Sequence, residues 1–223
     1  HAAFPLAGLA FERVLELRGR AVRIVESVTN LGATDRPIAW TQHVTLGPPF
    51  LVPGQTQFRA SATRSKTFEG QFGADDYLPP GLEFDWPRAN GVDLRVFNGS
   101  PKSSAFTTHL MNGGGERAWF VAWSPESRLA FGYVWRTADF PWMGIWEENR
   151  SRTGAPWNGV SITRGMEFGV SPMPETRRAM IDRGRLFGAA AYRWLPAGTT
   201  LTAEYWIAAR DADAVPESLD WPV

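Results

Sequence analysis

Apolar and polar residues alternate along most of this chain, and a period of two residues is typical of half-buried β-strands. Val22, Ile24 and Val28 alternate with polar neighbours, although Glu26 interrupts the apolar side. The run that ends at Leu17, just before a Gly-Arg turn, predicts the hairpin partner of that strand. Three further strands are predicted by apolar residues that share a face: Trp119, Val121 and Trp123; Leu129, Phe131, Tyr133 and Trp135; Leu201, Ala203, Tyr205 and Ile207.

Turn signals separate these strands. Ser124-Pro125-Glu126-Ser127 predicts a turn, and Pro196-Ala197-Gly198 leads into the last strand. Four Asn-Gly pairs favour the left-handed backbone of tight turns: Asn90-Gly91, Asn98-Gly99, Asn112-Gly113 and Asn158-Gly159. Short strands divided by frequent turns predict an all-β sandwich or barrel. We expect a single β-sandwich domain over residues 1–223.

The remaining segments are predicted to be one short helix and several loops. Only Pro174 to Arg183 has a helical pattern. The longest loops are expected at Pro48 to Gly54, Asp75 to Asn90 and Asn149 to Asn158, and such loops often carry binding residues. Because the chain opens at His1 rather than Met, we expect it to be processed or to be part of a longer protein.

Composition narrows the classes of function. The formal net charge is zero, so neither nucleic acid nor an anionic membrane is an expected partner. There is no cysteine, which excludes disulfides and thiolate metal sites, and three histidines are few for a histidine-rich metal site. We expect no metal and no cofactor. Oligomeric state stays open, as does the compartment, with the cytoplasm as the default expectation. The eleven tryptophans are either core residues or platforms for sugar rings.

The stretch from Arg164 to Pro172 sets one carboxylate in an apolar run. Met166 and Phe168 would point to one side of a strand, and Glu167 to the other, with a glycine on each side of the Met-Glu-Phe run. A carboxylate between large apolar neighbours is desolvated, and its pKa rises toward the range that suits proton transfer. The glycines would leave room for a ligand or another backbone. An exposed glutamate on a half-buried strand is the alternative interpretation.

Two other segments carry candidate chemistry. His43 shares a strand face with Thr45, opposite Trp40, and precedes a Gly-Pro-Pro turn. It is either a proton donor or a structural histidine that bonds the turn backbone. In the segment Asp139 to Arg150, aromatic rings and carboxylates lie close together, a mixture that suits the flat face and the hydroxyls of a sugar. Trp142, Trp146 and Glu148 would share one face there, although a core strand would show the same pattern.

These segments resemble the aldose 1-epimerase, or galactose mutarotase-like, superfamily. The resemblance lies in Val28-Thr29-Asn30 through Pro37, Trp40, His43 and Gly47-Pro48-Pro49-Phe50, and in Phe140-Pro141-Trp142 to Trp146 followed by Gly165-Met166-Glu167-Phe168-Gly169. It implies a β-supersandwich and a small sugar as substrate. It further implies that Glu167 is the general base on the anomeric hydroxyl and His43 the general acid on the ring oxygen. The candidate substrate contacts are Trp40, His109, Trp142, Trp146, Glu148 and Arg164.

The sequence also departs from the family pattern. The histidine turn continues as Val44-Thr45-Leu46 rather than with proline and an aromatic residue. An arginine and a second histidine of the family's earlier region have no placeable counterpart, so N-terminal strands are expected to be missing or shortened.

Three hypotheses remain open. An epimerase would hold Glu167 and His43 on either side of a sugar ring, and in its phosphorylated-sugar variant Arg150, Arg152 or Arg164 would bind the phosphate. A carbohydrate-binding protein without turnover would use the tryptophans of the loops and strands, namely Trp86, Trp142, Trp146 and Trp157. A β-sandwich module of a larger polysaccharide-processing enzyme would expose a large apolar face.

Overall fold

The protein, described by a computed structural model over residues 1–111 and 115–220, consists mainly of two seven-stranded β-sheets packed face to face. The strands, numbered in chain order, are β1 (Ala2–Phe4), β2 (Leu9–Arg18), β3 (Ala21–Asn30), β4 (Arg36–Ile38), β5 (Thr41–Gln42), β6 (Thr45–Leu46), β7 (Gln57–Ala60), β8 (Ala62–Thr67), β9 (Glu83–Asp85), β10 (Arg88–Ala89), β11 (Val92–Asp93), β12 (Ser103–Met111), β13 (Arg117–Ser124), β14 (Leu129–Arg136), β15 (Trp142–Asn149), β16 (Ile162–Gly169), β17 (Arg185–Leu186), β18 (Ala189–Ala190), β19 (Arg193–Leu195) and β20 (Thr200–Asp211). A 3-10 turn covers Pro5–Ala7, and helix α1 covers Arg177–Arg183.

The first sheet has the order β1-β2-β3-β20-β14-β13-β7. The second has the order β5-β16-β15-β12-β8-β9, and β6 also pairs with β16. Three two-stranded ribbons, β10-β11, β17-β18 and β19-β4, complete the described part. The predicted hairpin is confirmed, because β2 pairs with β3 along its whole length. The strands predicted from the later alternating runs correspond to β13, β14 and β20.

The predicted turns and helix are largely confirmed, and one loop prediction is wrong in part. Asn90 and Gly91 both have positive φ and join β10 to β11. Helix α1 lies within the predicted window, and the Thr176 side chain caps it by accepting a hydrogen bond from the Ala179 backbone N–H. The expected loop from Asp75 to Asn90 contains β9 and β10, whose short polar strands lack a clear alternating pattern. The predicted turn at Asn112-Gly113 lies outside the described residues.

The core lies between the two sheets and fixes which way β16 faces. Met166 and Phe168 are fully buried there, and Phe168 stacks on Trp135 of the first sheet with ring centroids 4.2 Å apart. Side chains alternate across a strand, so Glu167 lies on the outer face of the second sheet. At the end of the strand, a Cβ on Gly169 would lie 2.5 Å from the Thr41 hydroxyl oxygen. Glycine there allows the neighbouring strand to approach closely.

Large apolar side chains remain exposed on the first 31 residues of the chain. They are Phe4, Leu6, Val14, Leu15, Leu17 and Leu31. Leu15 and Leu17 pair with Ile24 and Val22 of β3, the same face of the sheet that buries Ile24 in the core. This edge of the first sheet therefore extends beyond the cover that the second sheet provides. No helix within the described ranges combines the length and the hydropathy needed to cross a membrane.

Candidate active site

A cavity of about 660 Å³ opens on the outer face of the second sheet. Its floor comes from β12, β15 and β16, and its walls come from the segments around Phe72, Arg152 and Trp157. Its volume lies in the range of pockets that bind small molecules. His43 and Glu167 both line it, together with the aromatic side chains Phe72, Phe106, Trp146 and Trp157.

His43 and Glu167 are cross-strand neighbours. The pairs Phe168–Gln42 and Gly165–Thr45 flank them, and this common register places Glu167 opposite His43. The two side chains are in direct contact, with 2.7 Å between His43 Nε2 and Glu167 Oε1. The groups that were expected on either side of a ring thus touch each other, because adjacent strands bring opposed side chains together.

The second ring nitrogen of His43 has its own partner. His43 Nδ1 lies 3.1 Å from the hydroxyl oxygen of Thr45, which is two residues further along the same face. If the Thr45 hydroxyl donates to Nδ1, a neutral imidazole carries its hydrogen on Nε2, where it faces the Glu167 carboxylate. In either direction, this hydrogen bond holds the His43 ring in its orientation beside Glu167.

Burial perturbs the proton affinity of Glu167. Desolvation raises the pKa of this carboxyl above its ordinary value of 4.5, and the opposite charge of a protonated His43 acts to lower it. The side chain retains 14% of its exposure, so it is largely desolvated yet accessible from the cavity. A carboxyl of this kind holds its proton to a higher pH than an exposed glutamate and is suited to proton transfer.

Two glycines shape the floor beneath these groups. A Cβ on Gly165 would lie 3.1 Å from Glu167 Oε1 and 3.2 Å from Trp146 Cε3. A Cβ on Gly144, which is the β15 neighbour of Glu167, would lie 2.9 Å from the Phe106 ring. Both distances are shorter than a relaxed carbon contact, so glycine lets the carboxylate and the rings settle over the backbone.

Arg152 also lines the cavity, and it lies beside the same Trp146 ring as His43 does. The Trp146 ring centroid is 5.9 Å from that of His43 and 5.8 Å from Arg152 Cζ. Arg152 Cζ also lies 5.1 Å from the Phe72 ring and 5.2 Å from the Trp157 ring. The guanidinium thus stands among three aromatic rings that can stabilise its charge.

Three of the predicted substrate contacts point into the sandwich, so the structure does not place them in the cavity. Trp40 is buried, and its Nε1–H donates to Glu26 at 2.5 Å. Arg164 is fully buried and donates to the Leu94 carbonyl at 2.5 Å. His109 is fully buried and faces the core. Arg164 and His109 each lie an odd number of residues from the cavity-facing Glu167 and Phe106 on their own strands, which places them on the other face. Trp40 lies just before β5.

Two other predicted contacts share the strand face of Trp146 but are covered. Trp142 is fully buried, and its Nε1–H donates to the Ala190 carbonyl at 2.8 Å. Glu148 is also fully buried, and its Oε1 accepts the backbone N–H groups of Ser151 and Arg152. These two side chains are therefore covered by neighbouring segments on the cavity side of the sheet and do not line the cavity. Trp86 packs 5.0 Å from the His109 ring and is likewise absent from the cavity lining.

Several lining residues were not predicted as site residues. Phe72 and Phe106 come from segments with no chemical motif, and no sequence signal indicated that they meet Trp146. Thr45 did carry a signal, since it lies two residues after His43 on the same strand face. Within residues 1–111 and 115–220, no group of three or more histidine, aspartate or glutamate side chains is arranged to hold a metal ion.

Comparison with known proteins gives a match at the level of the fold. No protein-family model matches the sequence, and no curated protein matches it. Among solved structures, a proposed aldose 1-epimerase from Klebsiella pneumoniae has a TM-score of 0.69 at 12% identity, over 96% of this chain. A galactose mutarotase-like protein from Clostridium acetobutylicum has a TM-score of 0.64 at 14% identity, over 91% of this chain. The fold is that of the galactose mutarotase-like proteins.

A galactose mutarotase related enzyme from Lactobacillus acidophilus gives the same result, with a TM-score of 0.60 at 14% identity over 93% of this chain. The prediction of a mutarotase-like β-sandwich is thereby confirmed. The chain spans only 49% of the Klebsiella protein, 56% of the Clostridium protein and 64% of the Lactobacillus protein. At these identities the likeness concerns the mutarotase-like fold and carries no residue roles.

Proposed function

We propose that this protein binds a small sugar and interconverts its anomers by general acid and base catalysis, as an aldose 1-epimerase does. The observation that carries the proposal is the 2.7 Å contact between His43 and Glu167 in an open cavity, with the pKa of Glu167 raised by burial. The aldose 1-epimerase and mutarotase names of proteins with the same fold support the proposal.

The reaction needs one proton taken and one proton given. In the proposed mechanism, ionised Glu167 takes the proton of the anomeric hydroxyl, and protonated His43 gives a proton to the ring oxygen. The bond between the anomeric carbon and the ring oxygen breaks, and an aldehyde forms. Rotation about the next carbon–carbon bond and the reverse proton transfers close the ring as the other anomer. Each proton transfer contributes about 10² to 10⁴ in rate.

The direct contact between the two groups is compatible with this scheme. The anomeric hydroxyl and the ring oxygen are bonded to the same carbon, so one edge of a sugar can approach both groups from the cavity side. The ring itself does not have to fit between them. Trp146, whose ring lies 5.9 Å from that of His43, is placed to contact the apolar face of the sugar.

The test is anomer equilibration of several aldoses, followed by NMR or polarimetry. Wild type should exceed the uncatalysed rate, and Glu167→Gln, which keeps the shape but removes the base, should reduce the rate by about 10² to 10⁴. Glu12→Gln removes an exposed carboxylate from β2 and should leave the rate unchanged. A Glu167→Gln variant with the wild-type rate would contradict the proposal. Tryptophan fluorescence that responds to sugars without any rate enhancement would indicate a binding protein instead.

One observation favours a second candidate, a β-sandwich module within a larger carbohydrate-processing protein. Leu15 and Leu17 are neighbours on the core-facing side of β2, and both are more than half exposed. Clustered exposed apolar side chains mark surfaces that pack against another body. A monodisperse monomer with full epimerase activity, measured by sedimentation and NMR, would argue against this candidate.

A further inference from the structure

Arg152 lines the cavity but has no role in the proposed epimerisation. Its side chain keeps 29% of its exposure, and its guanidinium lies between the rings of Phe72, Trp146 and Trp157. A cation that is partly desolvated among aromatic rings has lost hydration that an anionic ligand can replace.

The hydrogen bonds of Arg152 leave one side of the guanidinium unused. Its backbone N–H donates to Glu148 Oε1, and its Nε lies 3.4 Å from Glu148 Oε2. Neither terminal Nη atom donates to any acceptor within residues 1–111 and 115–220. The planar guanidinium fork binds the two oxygens of a carboxylate or phosphate at once, so these atoms form a ready anion-binding edge.

The other two arginines considered from the sequence do not compete for this role. Arg164 is fully buried on the core face of β16, where it contacts Glu147 and the Leu94 carbonyl. Arg150 is exposed and does not line the cavity. Only Arg152 among the three lines the cavity that contains Glu167.

The positions of the cation and the acid–base pair suggest how one ligand could span both. The His43 ring and Arg152 Cζ are each within 6 Å of the same Trp146 ring, at 5.9 and 5.8 Å. A sugar stacked on Trp146 with its anomeric edge at the acid–base pair would have another substituent within reach of Arg152.

We propose that the ligand is an aldose that carries an anionic substituent, a phosphate or a carboxylate, and that Arg152 binds this substituent. The orientation of the sugar rests on the proposed function, whereas the anion preference rests on Arg152 alone. If Arg152 served only to neutralise the buried Glu148 carboxylate, neutral and anionic sugars would bind alike.

The experiment measures the affinity of the purified protein by calorimetry and by tryptophan fluorescence. The ligands are a hexose, the same hexose with a terminal phosphate, the corresponding hexuronate, and inorganic phosphate alone. Wild type should bind at least one anionic sugar about tenfold or more tightly than the hexose, since a charge-assisted hydrogen bond contributes on that scale. Added salt should reduce the preference. Comparison of the phosphate and the uronate identifies which anion the site takes.

Two variants decide the role of Arg152. Arg152→Gln should bring the anionic and neutral sugars to within about twofold of each other, and Arg152→Lys should retain part of the preference because it keeps the charge. Arg150→Gln, which removes a nearby exposed charge, should retain all of it. Equal binding of neutral and anionic sugars by wild type would overturn the inference, as would a preference that survives in Arg152→Gln. The comparison of neutral and anionic sugars on the wild-type protein tests the inference even if a variant fails to fold.

The same ligands separate this inference from the proposed function. Anomer equilibration of neutral sugars without an anion preference would leave the epimerase proposal standing and refute the role of Arg152. Arg152-dependent binding of an anionic sugar, with no enhanced equilibration of any sugar, would support the role of Arg152 and refute the epimerase proposal.

Discussion

Protonation of one buried histidine should contribute a defined part of the acid sensitivity of this protein. His109 is fully buried, and its Nδ1 and Nε2 lie 2.8 Å from the Ser65 hydroxyl and 2.9 Å from the Thr107 hydroxyl. Burial, together with the nearby positive charge of Arg164, lowers the pKa of His109 from 6.5 to about 3. The folded protein therefore holds a neutral imidazole at every ordinary pH.

The sign and size of the effect follow from linkage. Below pH 6.5 the unfolded chain binds a proton at this position, whereas the folded protein does not bind it until the pH reaches about 3. The stability contributed by the neutral histidine is thus complete above pH 6.5 and declines as the pH falls. Each pH unit costs about 1.4 kcal/mol, so acidification to about pH 5 should cost about 2 kcal/mol from His109 alone.

The assay is urea unfolding of wild type and His109→Gln at about pH 7.5 and about pH 5. Glutamine can bond both hydroxyl neighbours but cannot take up the proton, so the variant should lose about 2 kcal/mol less on acidification than wild type does. His1→Gln removes an exposed histidine that is not part of the acid–base pair and should retain the wild-type loss. Equal losses in wild type and His109→Gln would refute the linkage reasoning. The sugar affinity of the variant should change little, since His109 lies on the face away from the cavity.

Three further predictions concern the cavity. The acid limb of the epimerisation rate should lie above pH 4.5, because burial raises the pKa of Glu167 and the base is active only when ionised; a pH–rate profile with its limb at or below that value would contradict this. Thr45→Val should lower the rate about fivefold, since His43 loses a hydrogen bond that holds its ring in place, worth about 1 kcal/mol; Thr45→Ser should restore the rate. Gly165→Ala should reduce the rate about tenfold, because the added Cβ would displace Glu167 and Trp146. The melting temperature, measured by calorimetry, should change little. An unchanged rate would show that the cavity floor accommodates the added methyl group.

The sequence predicted the all-β fold and the strand face on which Glu167 lies, and it did so for a physical reason. Alternation assigns every residue of a strand to a face, so Glu167 and Met166 were correctly placed on opposite sides of β16. The same rule separates Arg164 from the cavity-facing Glu167 on β16, and Trp40, just before β5, is also buried in the core. Trp40 and Arg164 were predicted as substrate contacts from the chemistry of their side chains and not from their positions in the alternating pattern. For such residues, position along the strand is more informative than side-chain chemistry.

Other errors arise from contacts that no local pattern encodes. Trp142 lies on the cavity side of β15, and distant segments around Met173 and Ala190 cover it. Glu148 lies on that side too, and the loop that follows it closes over its carboxylate. Strand parity is a property of a few neighbouring residues, whereas burial on an outer sheet face depends on which remote loop covers it. Such loops carry no periodicity from which their path could be predicted.

The loop after β15 illustrates how a covered residue can still affect the site. Because Glu148 holds the backbone N–H groups of Ser151 and Arg152, it fixes the point at which the chain turns back over the cavity. That turn sets the Arg152 guanidinium among its aromatic neighbours, and Trp157 of the same loop completes the wall. A carboxylate that was expected to bind sugar directly thus positions the arginine that we propose to bind it. The strand register fixes His43 and Glu167, whereas the hydrogen bonds that Glu148 accepts fix the segment of the cavity wall that carries Arg152.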